Sequence, residues 1–408
     1  MFQVSKKNRN ISGKINISGS KSESNRLLLL RAYISFFKIM NISDSDDTRI
    51  MDKALNSKEK TISIGHAGTA MRFLTSYFSS QSDSSKVLTG SVRMKQRPIE
   101  ILVKALNELG GDIEYTENKG FPPLKIVGKR LFGSLVTLPA NVSSQYISSL
   151  MMLGSSLENG LKINLSTEIT SLPYITMTKK IIERLGGNIR IQNKSISIDP
   201  IKTETISDQY VESDWSSASY FYSLVAMSTS SNLTLSTFYK ESIQGDSNLP
   251  NFYKELGVET FYGNNEILLR KNDSNLPKHI YFDLKDNPDL AQTIIITCLG
   301  LGVNCTLSGL HTLKIKETDR LVALKTEIQK FNVEEVSITE DTITLINNSK
   351  LKSNITIDTY DDHRMAMSFA PLSIITPLKI LKPEVVTKSY RNFWNDFELL
   401  GFDIIKKN

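Results

Sequence analysis

Five times along the chain an amphipathic stretch ends at Leu or Phe, passes through Gly or Asn, and continues as alternating apolar and polar residues. The five are NELGGDIEY at Leu109, ERLGGNIRI at Leu185, KELGVETFY at Leu256, QKFNVEEVSI at Phe331 and ELLGFDII at Leu400, spaced by 76, 71, 75 and 69 residues. A change from helical to two-residue periodicity across a residue that tolerates positive φ marks a helix closed by a left-handed cap and followed at once by a strand. A period of about 70 residues is too long for a solenoid, so the recurrence predicts α/β units repeated about an axis. The length of 408 residues adds a prior of two or three domains. Between the joints, KVLTG, LKINLST, NLTLSTF and NITIDTY read as half-buried strands, and SSQSDSS (79–85) as a surface loop. No long linker or low-complexity tail interrupts them, so any two lobes are expected to be joined by short crossings.

Composition removes several classes of function. Lys+Arg 49 against Asp+Glu 43 leaves +6 on a chain that is 23% charged, too weak an excess to demand nucleic acid or an anionic membrane. The longest apolar-leaning run, 290–303, is shorter than the ~20 residues of a bilayer span. MFQVSKKNRN is not followed by an apolar core, so no secretory signal is expected. Cys298 and Cys305 lack CxxC spacing and a His neighbour, and read as reduced core thiols of a cytoplasmic protein.

The chemistry-bearing motifs cluster at expected helix starts. Ser18-Gly19-Ser20-Lys21-Ser22-Glu23-Ser24-Asn25-Arg26 runs into LLLLRA, so unpaired N–H groups and hydroxyls would face outward beside two cations. It is read either as an anion site or as a helix capped by Ser22 or Ser24 with Lys21 solvated. GxxxxGK[ST] is absent. Gly65-His66-Ala67-Gly68-Thr69-Ala70-Met71-Arg72 repeats the pattern, with Thr69 as a cap, Arg72 one turn along and His66 as a loop hydrogen-bonder. In Arg93-Met94-Lys95-Gln96-Arg97-Pro98, Pro98 is expected at the first helical position, and three cations gathered before a helix start are tolerated best around an anion. A solvated loop is the other reading. Ser143-Ser144-Gln145, Ser171-Leu172-Pro173-Tyr174 and Ser216-Ser217-Ala218-Ser219 offer hydroxyls and an amide, suited to a polyhydroxylated or phosphorylated ligand, or else to caps and turns.

In the second half, Lys316-Glu317-Thr318-Asp319-Arg320 is expected to open a helix with Lys316 and Arg320 as i,i+4 neighbours. Asp361-Asp362-His363-Arg364 begins an apolar segment in which polar groups must be satisfied internally or serve a ligand. No second His stands at metal-ligand spacing from His363, so no metal is expected.

Together GSKSESNRLLLLRA, GHAGTAMRFL, LTGSVRMKQRPIEILVKAL, SSQY, SLPYI, ESDWSSASYF, KETDRL, TYDDHRMAM and TKSYRNF occur in the order and spacing of one family. From about residue 13 to 395 the chain resembles the 5-enolpyruvylshikimate-3-phosphate (EPSP) synthases, or 3-phosphoshikimate 1-carboxyvinyltransferases (EC 2.5.1.19). The resemblance implies a two-lobed inside-out α/β barrel of six βαβαββ repeats, three per lobe. It places 1–18 with 212–408 in one discontinuous lobe and 19–211 in an inserted one, with ligands in the cleft between them. It implies transfer of the enolpyruvyl group of phosphoenolpyruvate to the 5-hydroxyl of shikimate 3-phosphate through a tetrahedral intermediate, with release of phosphate. That is a step toward chorismate and the aromatic amino acids.

By the same resemblance Lys21, Ser22, Arg26, Ser143, Ser144, Gln145, Ser171, Tyr174, Asp289 and Lys316 would bind shikimate 3-phosphate. Lys21, Gly68, Arg93, Gln145, Arg320, Arg364 and Lys388 would hold phosphoenolpyruvate. Thr69, Arg72, Asp362 and His363 would support them. Asp289, in NPDLAQT, stands at the place of the proposed base, with Glu317 as proton donor and acceptor at the methylene carbon and Lys21 as the third catalytic group. A monomeric cytoplasmic enzyme without cofactor, nucleic-acid partner or membrane follows. The reaction accounts for the residue set: two phosphates and two carboxylates need several cations from separate loops, and proton delivery with proton removal needs two carboxylates.

Four positions depart from the family pattern, His66, Phe73, Thr312 and Arg391, and leave pocket shape and glyphosate sensitivity open. The sister transferases that act on UDP-N-acetylglucosamine carry a reactive Cys in the loop matching Gly90–Lys95, which has none here. An RNA-processing protein of related fold would call for a basic stripe with aromatic residues, whereas these cations alternate with acids.

Overall fold

The computed structural model describes residues 1–34, 37–141, 143–169, 171–202, 206–272, 275–347 and 350–407. Among them are twelve α-helices. They are α1 (Lys21–Tyr33), α2 (Asp46–Leu55), α3 (Gly68–Ser79), α4 (Glu100–Glu108), α5 (Ser144–Gly154), α6 (Leu172–Arg184), α7 (Trp215–Met227), α8 (Leu249–Glu255), α9 (Ala291–Leu301), α10 (Arg320–Gln329), α11 (His363–Phe369) and α12 (Phe393–Leu399). None is long and apolar enough to cross a membrane.

The recurrent joints are where the periodicity puts them. Helices α4, α6, α8, α10 and α12 are followed by Gly110, Gly186, Gly257, Asn332 and Gly401 with φ of 99°, 88°, 80°, 63° and 81°. Each then enters a strand: Asp112–Tyr115, Ile189–Gln192, Val258–Tyr262, Glu335–Ile338 and Asp403–Lys406. A positive φ closes the helix and turns the chain into an extended path, which L side chains resist and Gly or Asn accept. The sixth such helix, α2, ends instead at Asn56 with φ −95°, and its joint carries no left-handed residue.

The sheets show the same repeat. In Thr61–Ser63, Ser85–Thr89, Asp112–Tyr115 and Leu124–Val127 the first two strands are parallel and the order is first, second, fourth, third. Four further sheets keep that order, and those beginning at Leu135–Leu138 and His279–Asp283 also read β-α-β-α-β-β without interruption along the chain. In one of the other two the fourth strand is the N-terminal Phe2–Ser5, inserted between Leu378–Ile380 and Asp403–Lys406. In the other, Asn10–Asn16 pairs parallel with Ser230–Ser236 although more than two hundred residues separate them. The sixth repeat is reduced among the described residues to two parallel strands, Ile39–Met40 and Gln209–Tyr210.

By contacts the chain divides into two compact units, Met1–Ser18 with Glu212–Asn408, and Gly19–Val211. Within each, the odd-numbered helices are buried along most of their length while the even-numbered ones bury one face. Buried helices lined with Ser, Thr and Gly approach closely. The Ser76 and Ser149 hydroxyls join α3 to α5 at 2.6 Å, and Thr293 joins α9 to Ser219 of α7 at 3.1 Å and to Ser368 of α11 at 3.4 Å. A Cβ on Gly300 of α9 would stand 2.2 Å from the Met227 sulfur of α7.

Candidate active site

The expected site residues stand at or just before helix N-termini, where unpaired N–H groups and the helix dipole favour anions. Lys21 and Ser22 begin α1, Gly68 and Thr69 begin α3, and Ser143 caps α5 ahead of Ser144 and Gln145. Ser171 leads into α6, Asp289 lies in a 3-10 turn ahead of α9, Arg320 begins α10, Asp362 caps α11, and Lys388 ends the 3-10 turn preceding α12. They fall into two clusters, one in each unit.

In Gly19–Val211 the centre is Arg26, whose side chain is buried on α1. Its Nε donates to Thr178 Oγ1 at 2.7 Å, Nη1 to the Ser22 carbonyl at 2.9 Å, and Nη2 to Ser148 Oγ at 3.2 Å and the Tyr174 carbonyl at 3.4 Å. The rings of Phe73 and Tyr174 lie 5.6 and 6.0 Å from the guanidinium carbon. All four hydrogen-bond acceptors are neutral. Burial accordingly pulls Arg26 down to about 10, against the opposing influence of Tyr174 and Glu23. Lys21 Nζ lies 3.4 Å from the buried Asp47 carboxylate. Gln145 Nε2 donates to Thr69 Oγ1 at 3.3 Å, tying the start of α5 to that of α3. Ser171 is left-handed, with φ 55°, a conformation that costs a non-glycine residue about 1 kcal/mol.

In the other unit the buried Arg320 guanidinium joins three carboxylates. Nε donates to Asp362 Oδ2 at 2.7 Å, Nη1 to Asp289 Oδ1 at 3.0 Å and Nη2 to Glu317 Oε2 at 3.1 Å. Arg364 adds Nη2 to Asp289 Oδ2 at 3.0 Å and Nη1 to the Asp289 carbonyl at 3.1 Å. Lys316 Nζ lies 3.7 Å from Asp289 Oδ1, and Lys388 Nζ 2.6 Å from Glu317 Oε1. Asp362 also caps α11 through the Arg364 N–H at 2.8 Å and lies 3.5 Å from His363 Nδ1. Burial works to lower the Arg320 pKa, but Asp362, Glu317 and Asp289 outweigh it and hold it above its ordinary value. The two buried arginines thus sit in opposite environments, one among hydroxyls and carbonyls, the other among anions.

A family model for EPSP synthase (3-phosphoshikimate 1-carboxyvinyltransferase) matches residues 51–397. The chain is 45% identical to a 3-phosphoshikimate 1-carboxyvinyltransferase of Bacteroides fragilis, covering 97% of this chain and 96% of that protein. The chain belongs to the EPSP synthase family. A 3-phosphoshikimate 1-carboxyvinyltransferase of Haemophilus influenzae is 35% identical, with 95% of this chain and 96% of that one covered. Among solved structures an EPSP synthase from Acinetobacter baumannii superposes with a TM-score of 0.78 at 21% identity, covering 99% of each chain. The enolpyruvyl transferase NikO from Streptomyces tendae gives 0.75 at 13%, over 99% of this chain and 98% of that one. Both show the two-lobed enolpyruvyl transferase fold.

Several local expectations for this EPSP synthase family member are corrected. Helix α1 is capped by Ser20, which accepts from the Glu23 N–H, rather than by Ser22 or Ser24. Thr69 does not cap α3, whose N-cap Ala67 offers no side-chain bond. Pro98 precedes the cap of α4, and its carbonyl instead accepts from Arg72 Nη2 at 3.1 Å and the Tyr146 hydroxyl at 2.5 Å. Lys316 and Arg320 do not share a helix: Asp319 caps α10 by accepting from the N–H groups of Leu321 and Val322, which sets the start at Arg320 and leaves Lys316 extended. The two still meet at Asp289. Lys95 pairs with Glu117 at 2.6 Å, Arg93 heads the 3-10 turn Met94–Gln96, and Arg97 lies with Nη1 2.5 Å from where a Gly68 Cβ would stand.

Of the four departures, His66 Nδ1 meets Ser91 Oγ at 3.0 Å and Phe73 is buried beside Arg26. The Thr312 hydroxyl oxygen is buried without a hydrogen bond, and Arg391 is exposed. The residues missed from sequence are Asp47, Ser148, Thr178 and Asp246. Their types are unremarkable and their partners lie far off in the chain, so no local pattern marks them.

Proposed function

We propose that the two clusters serve one reaction, in which the enolpyruvyl group of phosphoenolpyruvate passes to the 5-hydroxyl of shikimate 3-phosphate and inorganic phosphate is released. Lys21, Ser22, Arg26, Ser143, Ser144, Gln145, Ser171, Tyr174, Asp289 and Lys316 bind shikimate 3-phosphate. Gly68, Arg93, Arg320, Arg364 and Lys388, with Lys21 and Gln145, bind phosphoenolpyruvate. The observation that carries the reading is the pair of carboxylates, Asp289 and Glu317, spanned by one buried guanidinium and flanked by Lys316, Arg364 and Lys388. Two carboxylates give an acid and a base, and the cations can exchange protein carboxylate for substrate anions.

In the addition step the 5-hydroxyl oxygen bonds to C2 of phosphoenolpyruvate while Asp289 takes its proton and Glu317 delivers a proton to C3. In the elimination step the C2–O bond to phosphate breaks, a C3 proton returns to Glu317, and the fixed cations stabilise the departing phosphate. The proton on Asp289 leaves with that phosphate, so the site is regenerated. Phosphate release with phosphoenolpyruvate is expected only when shikimate 3-phosphate is present, and turnover with UDP-N-acetylglucosamine instead would refute the assignment. Asp289→Asn is expected to lower kcat by about 10²–10⁴.

The same reading makes the enzyme a cytoplasmic monomer without cofactor, metal, nucleic acid or membrane. Sedimentation should give a single 45.8 kDa species whose activity survives chelation.

A further inference from the structure

Asp246 is a buried acid in the 3-10 turn Gly245–Asn248 leading into α8, and the roles above do not use it. Its Oδ2 accepts a hydrogen bond from the Ser216 hydroxyl on the first turn of α7. Its Oδ1 accepts from Asn287 Nδ2 at 3.3 Å, and the same amide donates to the Gly245 carbonyl at 2.8 Å. Asn287 is itself buried and opens the turn that carries Asp289, its carbonyl accepting from the Leu290 N–H at 3.0 Å. The charged groups that act on Asp246 are Asp289 and Arg364.

We infer that Asp246 is a positioning residue for Asp289, fixing the turn that bears it and, as an anion, strengthening it as a proton acceptor. The inference rests on the reading of Asp289 as the base. Arg320, Arg364 and Lys316 surround Asp289, and cations favour the ionised form of a carboxylate, which weakens it as an acceptor. A second carboxylate acts in the opposite sense. The interaction is visible from the Asp246 side, where burial first and Asp289 second push its carboxyl up to about 6, against Arg364, Ser216 and Asn287. Above that pH Asp246 is the anion the role requires.

The test is the pH profile of kcat/KM for phosphoenolpyruvate at saturating shikimate 3-phosphate. Asp246→Asn keeps the shape and removes the charge. Its plateau should fall about tenfold and its acid limb move about 0.5–1 pH unit lower, because Asp289 then ionises more readily but accepts a proton less well. Asn287→Ala cuts the tether and keeps the charge, so its plateau should fall by a similar factor with the limb in place. Substrate phosphates titrate alike in all enzymes, so a displaced limb belongs to the protein. A lower plateau for Asp246→Asn with an unmoved limb would assign the residue to structure and overturn the proposal. Should that variant be insoluble, a wild-type kcat in Asn287→Ala overturns it. Asp289→Asn is the control: if it turns over normally, the reading of Asp289 fails, whereas its loss of activity beside an unmoved Asp246→Asn limb sinks the Asp246 role alone.

Discussion

Arg26 and Arg320 are both buried, yet replacing each by Met should have very different consequences for folding. For Arg26, lowering from its ordinary value to about 10 means that the folded state disfavours its charge by about 3 kcal/mol at neutral pH. The sign follows: a base whose folded pKa is depressed opposes folding in full below about 10, and the penalty fades only as the pH rises from there toward the ordinary arginine value. Against this, its four hydrogen bonds to neutral groups return about 0.5–1 kcal/mol each. Thr178 retains its bonds to Ser148 Oγ and the Tyr174 carbonyl when the guanidinium is removed. The terms nearly cancel, so Arg26→Met should melt within about 3 °C of the wild type. Arg320→Met leaves Asp289, Glu317 and Asp362 without their shared cation, a loss of about 3–5 kcal/mol or roughly 6–20 °C. The assay is thermal melting at pH 7.5 with and without shikimate 3-phosphate. Saturating ligand should raise the wild-type midpoint by about 5–10 °C and leave Arg26→Met unmoved. The reasoning fails if Arg26→Met melts as low as Arg320→Met, or if it keeps the ligand shift.

Other consequences can be checked with the same preparations. Lys21→Ala and Arg93→Ala should cut kcat/KM at least a hundredfold while melting well above Arg320→Met, since Lys21 lies 3.4 Å from one carboxylate where Arg320 joins three; a loss of stability equal to that of Arg320→Met would make them structural. Cys298 and Cys305 are buried free thiols, and the Cys298 pKa is pushed up by its hydrogen bond with Cys305 and by burial. Maleimide should therefore leave activity intact and label the protein only after denaturation, and rapid inactivation would contradict this. Gly300→Ala should cost about 1–3 kcal/mol, read by urea denaturation, because its methyl would overlap the Met227 sulfur. An unchanged midpoint would show that α7 and α9 can part freely.

What could be read along the chain is what a few adjacent residues decide. The joints at Gly110, Gly186, Gly257, Asn332 and Gly401 are legible because a positive φ between a helix and a strand is a local requirement on one residue. The joint after α2 escaped notice because Asn56 closes that helix without one. Ordered motifs at helix starts were legible for the same reason: the groups that face an anion there come from one short segment.

Partners were not legible, because the atoms that decide them come from distant repeats. Arg26 finds Thr178 and Ser148 at separations of 152 and 122 residues, and Asp289 finds Arg364 at 75. Asp319, rather than the cationic spacing, set where α10 begins, and so placed Lys316 off the helix while still bringing it to Asp289. The sequence by itself determined the repeated unit, the approximate place of the helix starts and the family, since periodicity and motif order are properties of neighbouring residues. Only the tertiary structure decided which arginine stands among carboxylates and which among hydroxyls, because that depends on what helix packing delivers to a buried guanidinium from across the chain.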